Sequence, residues 1–248
     1  MEAASRRPRR HGLDTLRGIA LVSMILYHAT WDMVYLFGAN WDWYRSDGAY
    51  IWQQSICWTF ILLSGYCFHL GRRRFRRGLM AFGGGWLVTV VTLVTMPDTP
   101  IFWGVLTLLG SAALLTIPLD GLFGRIPARV GLALSFCLFL LFRDVSSGWL
   151  GFEGARILAL PEALYANFFT AWLGFPAAGF YSSDYFPLLP WLFLFWSGYF
   201  LYRLRPEDSH RELPRIPVVT FMGRRSLLIY LLHQPVVYAV LTAWYWLF

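Results

Sequence analysis

The chain contains no lysine; all 21 of its basic residues are arginine. That excludes a catalytic lysine, a pyridoxal Schiff base and a lysine-dependent phosphate loop. Charge of any kind is scarce, at 14% of residues against 57% hydrophobic, and the apolar residues gather in several runs of 17 or more. Such a chain is a polytopic membrane protein with no soluble domain left over. Cysteine is limited to Cys57, Cys67 and Cys137, which fall in apolar runs without CxxC spacing. They report neither a disulfide framework nor a metal site. HExxH, GxSxG and the dinucleotide fingerprint are missing, which removes the usual markers of metalloproteases, serine hydrolases and nicotinamide enzymes. There is no internal repeat and no long low-complexity segment.

What is present reads as an all-α membrane domain of about seven spanning helices over residues 1–248, near 13–36, 50–71, 79–96, 101–120, 127–143, 186–203 and 222–247. The N-terminal RRPRR followed by an apolar stretch resembles a signal sequence. That stretch carries His28 and Asp32 and no small-residue cleavage site follows, so a retained signal-anchor helix is expected. The net charge of +7 comes from arginines placed between the apolar runs rather than over one soluble face. They therefore act as topology signals and not as a nucleic-acid surface. With a cytoplasmic N-terminus and residues 1–12 as a basic tail, Arg6, Arg7, Arg9, Arg10, Arg17, the RRRFRR run at 72–77, Arg125, Arg129, Arg203, Arg205, Arg211, Arg215, Arg224 and Arg225 all fall inside. Only Arg45, Arg143 and Arg156 fall outside, and the C-terminus is expected outside. The outer loop near 37–49 is rich in Trp, Asp, Asn and Gly. The one at 144–185 contains LYANFFTAWLGF, too short and polar for a span and expected as an interfacial or re-entrant helix.

The first helix places Arg17 and His28 eleven steps apart, close to three full turns. The two side chains share one face, separated by roughly 16 Å along the axis. Arg17 thus stands near a membrane surface and His28 deep inside, where an ionisable group needs a reason to be. Asp32 follows His28 by four and can orient the imidazole, so His28 reads either as a general base or as half of a structural polar pair. In the last helix His233 lies nine residues beyond Arg224, roughly 13 Å into the membrane and at a similar depth to His28. Gln234 adds hydrogen-bonding groups, and Pro235, lacking an N–H, frees the carbonyl of Leu231. His69 precedes Arg72, Arg73, Arg74, Arg76 and Arg77, five arginines that fit either the phosphates of a soluble cofactor or orientation and anionic lipid headgroups. Asp184 and Tyr185, with Pro187 and Pro190, shape the entry to the sixth helix at the outer face.

Five segments, LDTLRGIALVSMILYH, FILLSG, IFWGVLTLLG, DYFPLLPWLFLFWSGY and GRRSLLIYLLHQP, occur in that order from residue 13 to 235. Together they resemble the transmembrane acyltransferases related to heparan-alpha-glucosaminide N-acetyltransferase. The first and last are also similar to the Arg-x10-His helix and the terminal histidine helix of bacterial integral-membrane O-acyltransferases. The resemblance implies transfer of an acetyl or other acyl group from cytoplasmic acetyl-CoA to a sugar or amino-sugar acceptor across the membrane. It implicates Arg17, His28 and His233. Animal heparan acetyltransferases resemble the chain at Arg17 but carry Asn where His28 stands, with a catalytic histidine in the following outer loop. Here the loop at 37–49 contains no histidine. That speaks against heparan itself as acceptor and for His28 as base.

The expected assignment makes His28, Asp32 and His233 catalytic, with no metal. Arg17, His69, Arg72, Arg73, Arg74, Arg76 and Arg77 hold acetyl-CoA, while Gln234, Asp184 and Tyr185 meet the acceptor. The expected partners are membrane lipids and an extracytoplasmic glycan or amino sugar, without nucleic acid, and the expected location is the cell membrane. A homodimer is left open. The alternative is a transporter using the same ionisable residues as a relay.

Overall fold

A computed structural model describes residues 11–204 and 214–247. The expected basic tail, with Arg6, Arg7, Arg9 and Arg10, lies mostly outside the described residues, as do Arg205 and Arg211. The protein is mostly helical, 74% helix and 4% strand. Helices α1 (His11–Tyr35), α2 (Asp47–Tyr66), α3 (Arg74–Thr95), α4 (Val105–Arg125) and α5 (Ala128–Leu141) follow the first five apolar runs. Next come strands β1 (Trp149–Phe152) and β2 (Ala155–Ala159), a short α6 (Phe168–Leu173), then α7 (Leu188–Leu204), α8 (Pro217–Arg224) and α9 (Ser226–Leu247). Among the described residues, α3, α4 and α9 are long and apolar enough to cross a membrane.

Four features depart from the sequence reading. Residues 101–104 are not helical; Ser182 Oγ accepts from the Phe102 amide at 2.9 Å and the Trp103 carbonyl accepts from Phe186 N at 2.9 Å, which pins this stretch to the 182–186 segment. The 144–185 loop contains an antiparallel hairpin in which Phe152 and Ala155 flank a two-residue turn. Its Glu153 and Gly154 have φ of 47° and 90°, the positive values that a tight hairpin turn needs. The helix expected in LYANFFTAWLGF shrinks to α6, six residues or roughly 9 Å, capped by a reciprocal Asn167–Thr170 box.

The fourth departure matters most. The expected last helix breaks into α8 and α9 at Arg225 (φ −104°, ψ 18°). The chain divides into two units, residues 1–60 with 208–248, and residues 61–207. In the first, α8 packs on the start of α1 through two glycines. A Cβ on Gly18 would overlap the Val219 carbonyl, and one on Gly223 would overlap that of Asp14. Between them the hydroxyls of Thr15 and Thr220 meet at 2.7 Å, buried. This is small-residue packing of the kind that substitutes for hydrophobic driving force between helices in lipid. Because Val219 meets Gly18 while Gly223 meets Asp14, α8 runs antiparallel to α1. After the break, α9 runs parallel to α1: Ile229 and Tyr230 pack against the Leu21–Met24 cluster, His233 meets His28, and Tyr238 meets Phe37.

The second unit holds α3 to α7 and the end of α2. Gly85 packs directly on Thr107 and Gly110 on Phe82, seating α3 against α4. Gly65 and Gly198 let the end of α2 and α7 approach to backbone contact.

Gly223→Ala is expected to lower the melting temperature of detergent-solubilised protein by several degrees, although alanine is the better helix former. Gly83→Ala, at an α3 position with nothing within 4 Å of the added Cβ, should leave it unchanged or raise it. Equal behaviour of the two variants in a thermal scan would contradict this account of the α1–α8 packing.

Candidate active site

In the first unit, the two histidines come together. The His28 and His233 ring centroids lie 4.9 Å apart at an interplanar angle of 75°. Each Nδ1 hydrogen-bonds a carbonyl of its own helix, His28 to Met24 at 2.9 Å and His233 to Tyr230 at 2.6 Å. A carbonyl can only accept, so Nδ1 carries the hydrogen in both rings and each neutral imidazole presents Nε2 as a bare lone pair. The Nε2 of His233 is buried with no partner among the described residues.

Asp32 is fully buried. Its Oδ1 accepts a 2.6 Å hydrogen bond from Gln234 Nε2, while Asp32 Oδ2 and Gln234 Oε1 have no partner among the described residues. The expected Asp32–His28 pairing is therefore not formed. Helical side chains lean toward the N-terminus, so the His28 ring reaches back one turn to Met24 rather than forward to Asp32. Asp32 turns instead to α9.

At the start of α1, Asp14 collects two cations. Arg17 lies 3.6 Å from its Oδ1 and Arg224 lies 3.4 Å from its Oδ2. Arg224 also bonds His11 Nδ1 at 2.7 Å. Two guanidinium groups over one carboxylate leave an excess of positive charge at this end of α1, and the Arg17 side chain keeps 24% of its exposure.

The second unit holds the other expected residues. His69 stacks on Tyr202, with centroids 4.7 Å apart at 17°, and lies 4.2 Å from the Tyr199 ring. Next to it Asp120 accepts from Tyr199 Oη and from Arg74, each at 2.6 Å. The Arg74 guanidinium also covers the Phe68 ring at 4.6 Å. Arg74 thus links α3 to α4 through Asp120. Arg72, Arg73, Arg76 and Arg77 are exposed and have no carboxylate partner among the described residues. Asp120 and Tyr199 were missed in the sequence. An acidic residue near the end of the apolar run 101–120 was the available signal.

Tyr185 donates its hydroxyl to the Ala171 carbonyl, and burial pushes its phenol above the ordinary value against an opposing contact from Ser146. The Asp184 carboxylate lies against Gly104, in the segment that fastens the start of α4. Both residues hold this loop together. Among the described residues, no group of three His, Cys, Asp or Glu side chains converges as a metal site.

His28, His233 and the arginine run all lie within one matched span, because the family model for the heparan-alpha-glucosaminide N-acetyltransferase catalytic domain covers residues 9–235. The chain belongs to that family. No curated protein and no solved structure matches it. Membership makes it an acetyltransferase-type membrane enzyme, and the five sequence segments that carried the resemblance all lie within the matched residues.

Arg74→Ala is expected to lower thermal stability because it strands Asp120, whereas Arg76→Ala should leave stability intact. A scan in which both variants melt alike would return Arg74 to the same standing as its neighbours.

Proposed function

We propose that the chain transfers an acetyl group from cytoplasmic acetyl-CoA to a sugar or amino-sugar acceptor on the extracytoplasmic side of the cell membrane, with His28 as general base. The observation that carries this reading is the pair of imidazoles with Nδ1 tied to backbone and Nε2 bare, held on two parallel helices. An acceptor O–H or N–H needs a lone pair within hydrogen-bond reach to give up its proton, and Nε2 of His28 offers one.

Acetyl-CoA, as the donor substrate, supplies the activated thioester. The residues fit its charge. Arg72, Arg73, Arg76 and Arg77 are exposed and unpaired by carboxylates among the described residues, and Arg17 stands in a cluster of net positive charge. Guanidinium groups bind phosphate oxygens through paired N–H bonds, which suits either set to the diphosphate and 3′-phosphate. Along α1, Arg17 and His28 are separated by eleven residues, roughly 16 Å. That is of the order of an extended pantetheine arm, so phosphates held near Arg17 bring the thioester to the depth of His28.

The membrane arrangement in this reading has seven crossings, formed by α1 to α5, α7 and α9, with the N-terminus inside and the C-terminus outside. The positive-inside distribution of the arginines supports it.

Purified protein should be stabilised saturably by acetyl-CoA and by CoA, and Arg17→Ala should weaken both responses. His28→Ala should abolish acetyl transfer while still being stabilised by acetyl-CoA. Full transfer by the His28 variant would overturn its assignment as base, and no thermal shift with millimolar donor would overturn the donor site.

A further inference from the structure

The segment between α1 and α2 is fastened to its surroundings by aromatic rings. Among the described residues, the backbone of residues 38–46 bonds only to itself and to the adjoining ends of α1 and α2. Tyr44 sits in a single 3-10 turn over Asp42–Arg45 and is the one buried side chain of that turn. Its ring lies 5.2 Å from that of Tyr27 and 6.1 Å from that of Tyr35, both on α1. Trp43 packs on Trp52 of α2 at 6.3 Å yet stays half exposed, and Trp41 is exposed as well. Where the chain leaves α1, Phe37 stacks on Tyr245 of α9, with centroids 4.7 Å apart at 18°, and meets Tyr238.

These contacts lay the segment across unit-one residues that surround the histidine pair. Tyr27, which carries the Tyr44 ring, stands edge-on to His28 at 6.0 Å, and the Tyr44 phenol interacts electrostatically with Asp32. Phe37 reaches α9 five and twelve residues beyond His233. With the segment seated, Asp32 Oδ2, Gln234 Oε1 and His233 Nε2 are all closed to solvent. A solute therefore reaches them only after something moves. A stretch held by side-chain contacts, with no backbone bond to the rest of the bundle, is the kind that opens at low free energy. Gly38 supplies a hinge. Its φ is 72°, and nothing lies within 4 Å of an added Cβ, so the backbone conformation and not the packing calls for glycine.

We propose that residues 38–46 form a hinged lid over the histidine pair, turning about Gly38 and latched by the Tyr44 ring against Tyr27 and Tyr35. Lifting the lid admits the acceptor, and seating it keeps water from a thioester held beside His28. The latch is the ring and not its hydroxyl, which comes only to 3.5 Å from the Tyr27 carbonyl, long for a hydrogen bond.

What the lid admits rests on the acetyl-transfer reading, but its motion is measurable with neither donor nor acceptor present. The purified full chain is treated with diethyl pyrocarbonate, and modification of His233 is read by peptide mass spectrometry relative to His11, at the opposite end of α1. Wild type should give a low ratio. Tyr44→Ala should raise it about tenfold, the opening expected when two aromatic contacts are lost. Tyr44→Phe should match wild type. Gly38→Ala puts a methyl into open space but disfavours the positive φ, so it should raise the ratio several-fold with the Tyr44 ring still present. Trp41→Ala, in the same segment but exposed, should leave the ratio unchanged. A wild-type His233 that reacts as fast as His11 overturns the lid. So does a rise confined to Tyr44→Ala, which reports a hole left by the ring and not a moving segment. If Tyr44→Ala fails to fold, Gly38→Ala decides, and an unchanged ratio there overturns the proposal. The expected ratios in a protein that transfers no acetyl group would keep the lid and remove the transferase reading instead.

Discussion

The placement of the histidine pair depends on the close approach of α8 to α1. Gly18 and Gly223 leave no room for a Cβ, and the Thr15–Thr220 hydrogen bond fills the space between them. In water such packing would be supported by burial of apolar surface; in lipid the gain comes from van der Waals contact and the polar bond, so the fit itself carries the energy. The approach delivers the end of α8 to the start of α1, and the break at Arg225 then launches α9 along the same direction as α1. That seat sets the register of α9 on α1 together with the Asp32–Gln234 hydrogen bond, while most of α9 is exposed apolar surface.

Several polar groups elsewhere in the helices are settled locally. Ser111, Thr116 and Ser135 return their hydroxyls to carbonyls one turn back, and Trp196 Nε1 donates to the Thr116 hydroxyl at 3.0 Å. Asp120 is neutralised by Arg74 and bonded by Tyr199. Against this background Asp32 Oδ2, His233 Nε2 and Gln234 Oε1, with His69 Nε2 and Thr242 Oγ1, are buried polar atoms left without partners among the described residues. Buried polar atoms without partners cost free energy in any protein and more in an apolar medium, and such costs are retained where a ligand meets them.

The helices themselves were legible, because a run of apolar residues long enough for a bilayer has few other solutions. Their ends were less so. The start of α4 is set by hydrogen bonds to a segment eighty residues away, and α8 carries a glycine, Gly223, whose meaning appears only against Asp14 of another helix. Spacing showed that His28, Asp32, His233 and Gln234 could face inward, yet it could not choose partners among them. Four residues of separation bring Asp32 within reach of His28, but the backbone carbonyl of Met24 competes for the same Nδ1 and wins. The hairpin was hidden by its shortness; Glu153–Gly154 was its local mark, and strands of four and five residues give little periodicity to read.

The meeting of the two histidines follows from a shared origin. Asp14 binds both Arg17 and Arg224, so α1 and the last helical segment are tied at one height. From there His28 lies eleven residues along α1, and His233 lies seven residues beyond Ser226, the first residue of α9, roughly 16 and 10 Å of helical rise. The non-helical residue Arg225 and the 4.9 Å ring spacing take up the difference. A longer or shorter α9 prefix would have put His233 a turn away from His28. The ion pair at one end of α1 thus sets the height at which the two bases meet near the other, and the charge and the lone pairs of the site form one mechanical unit.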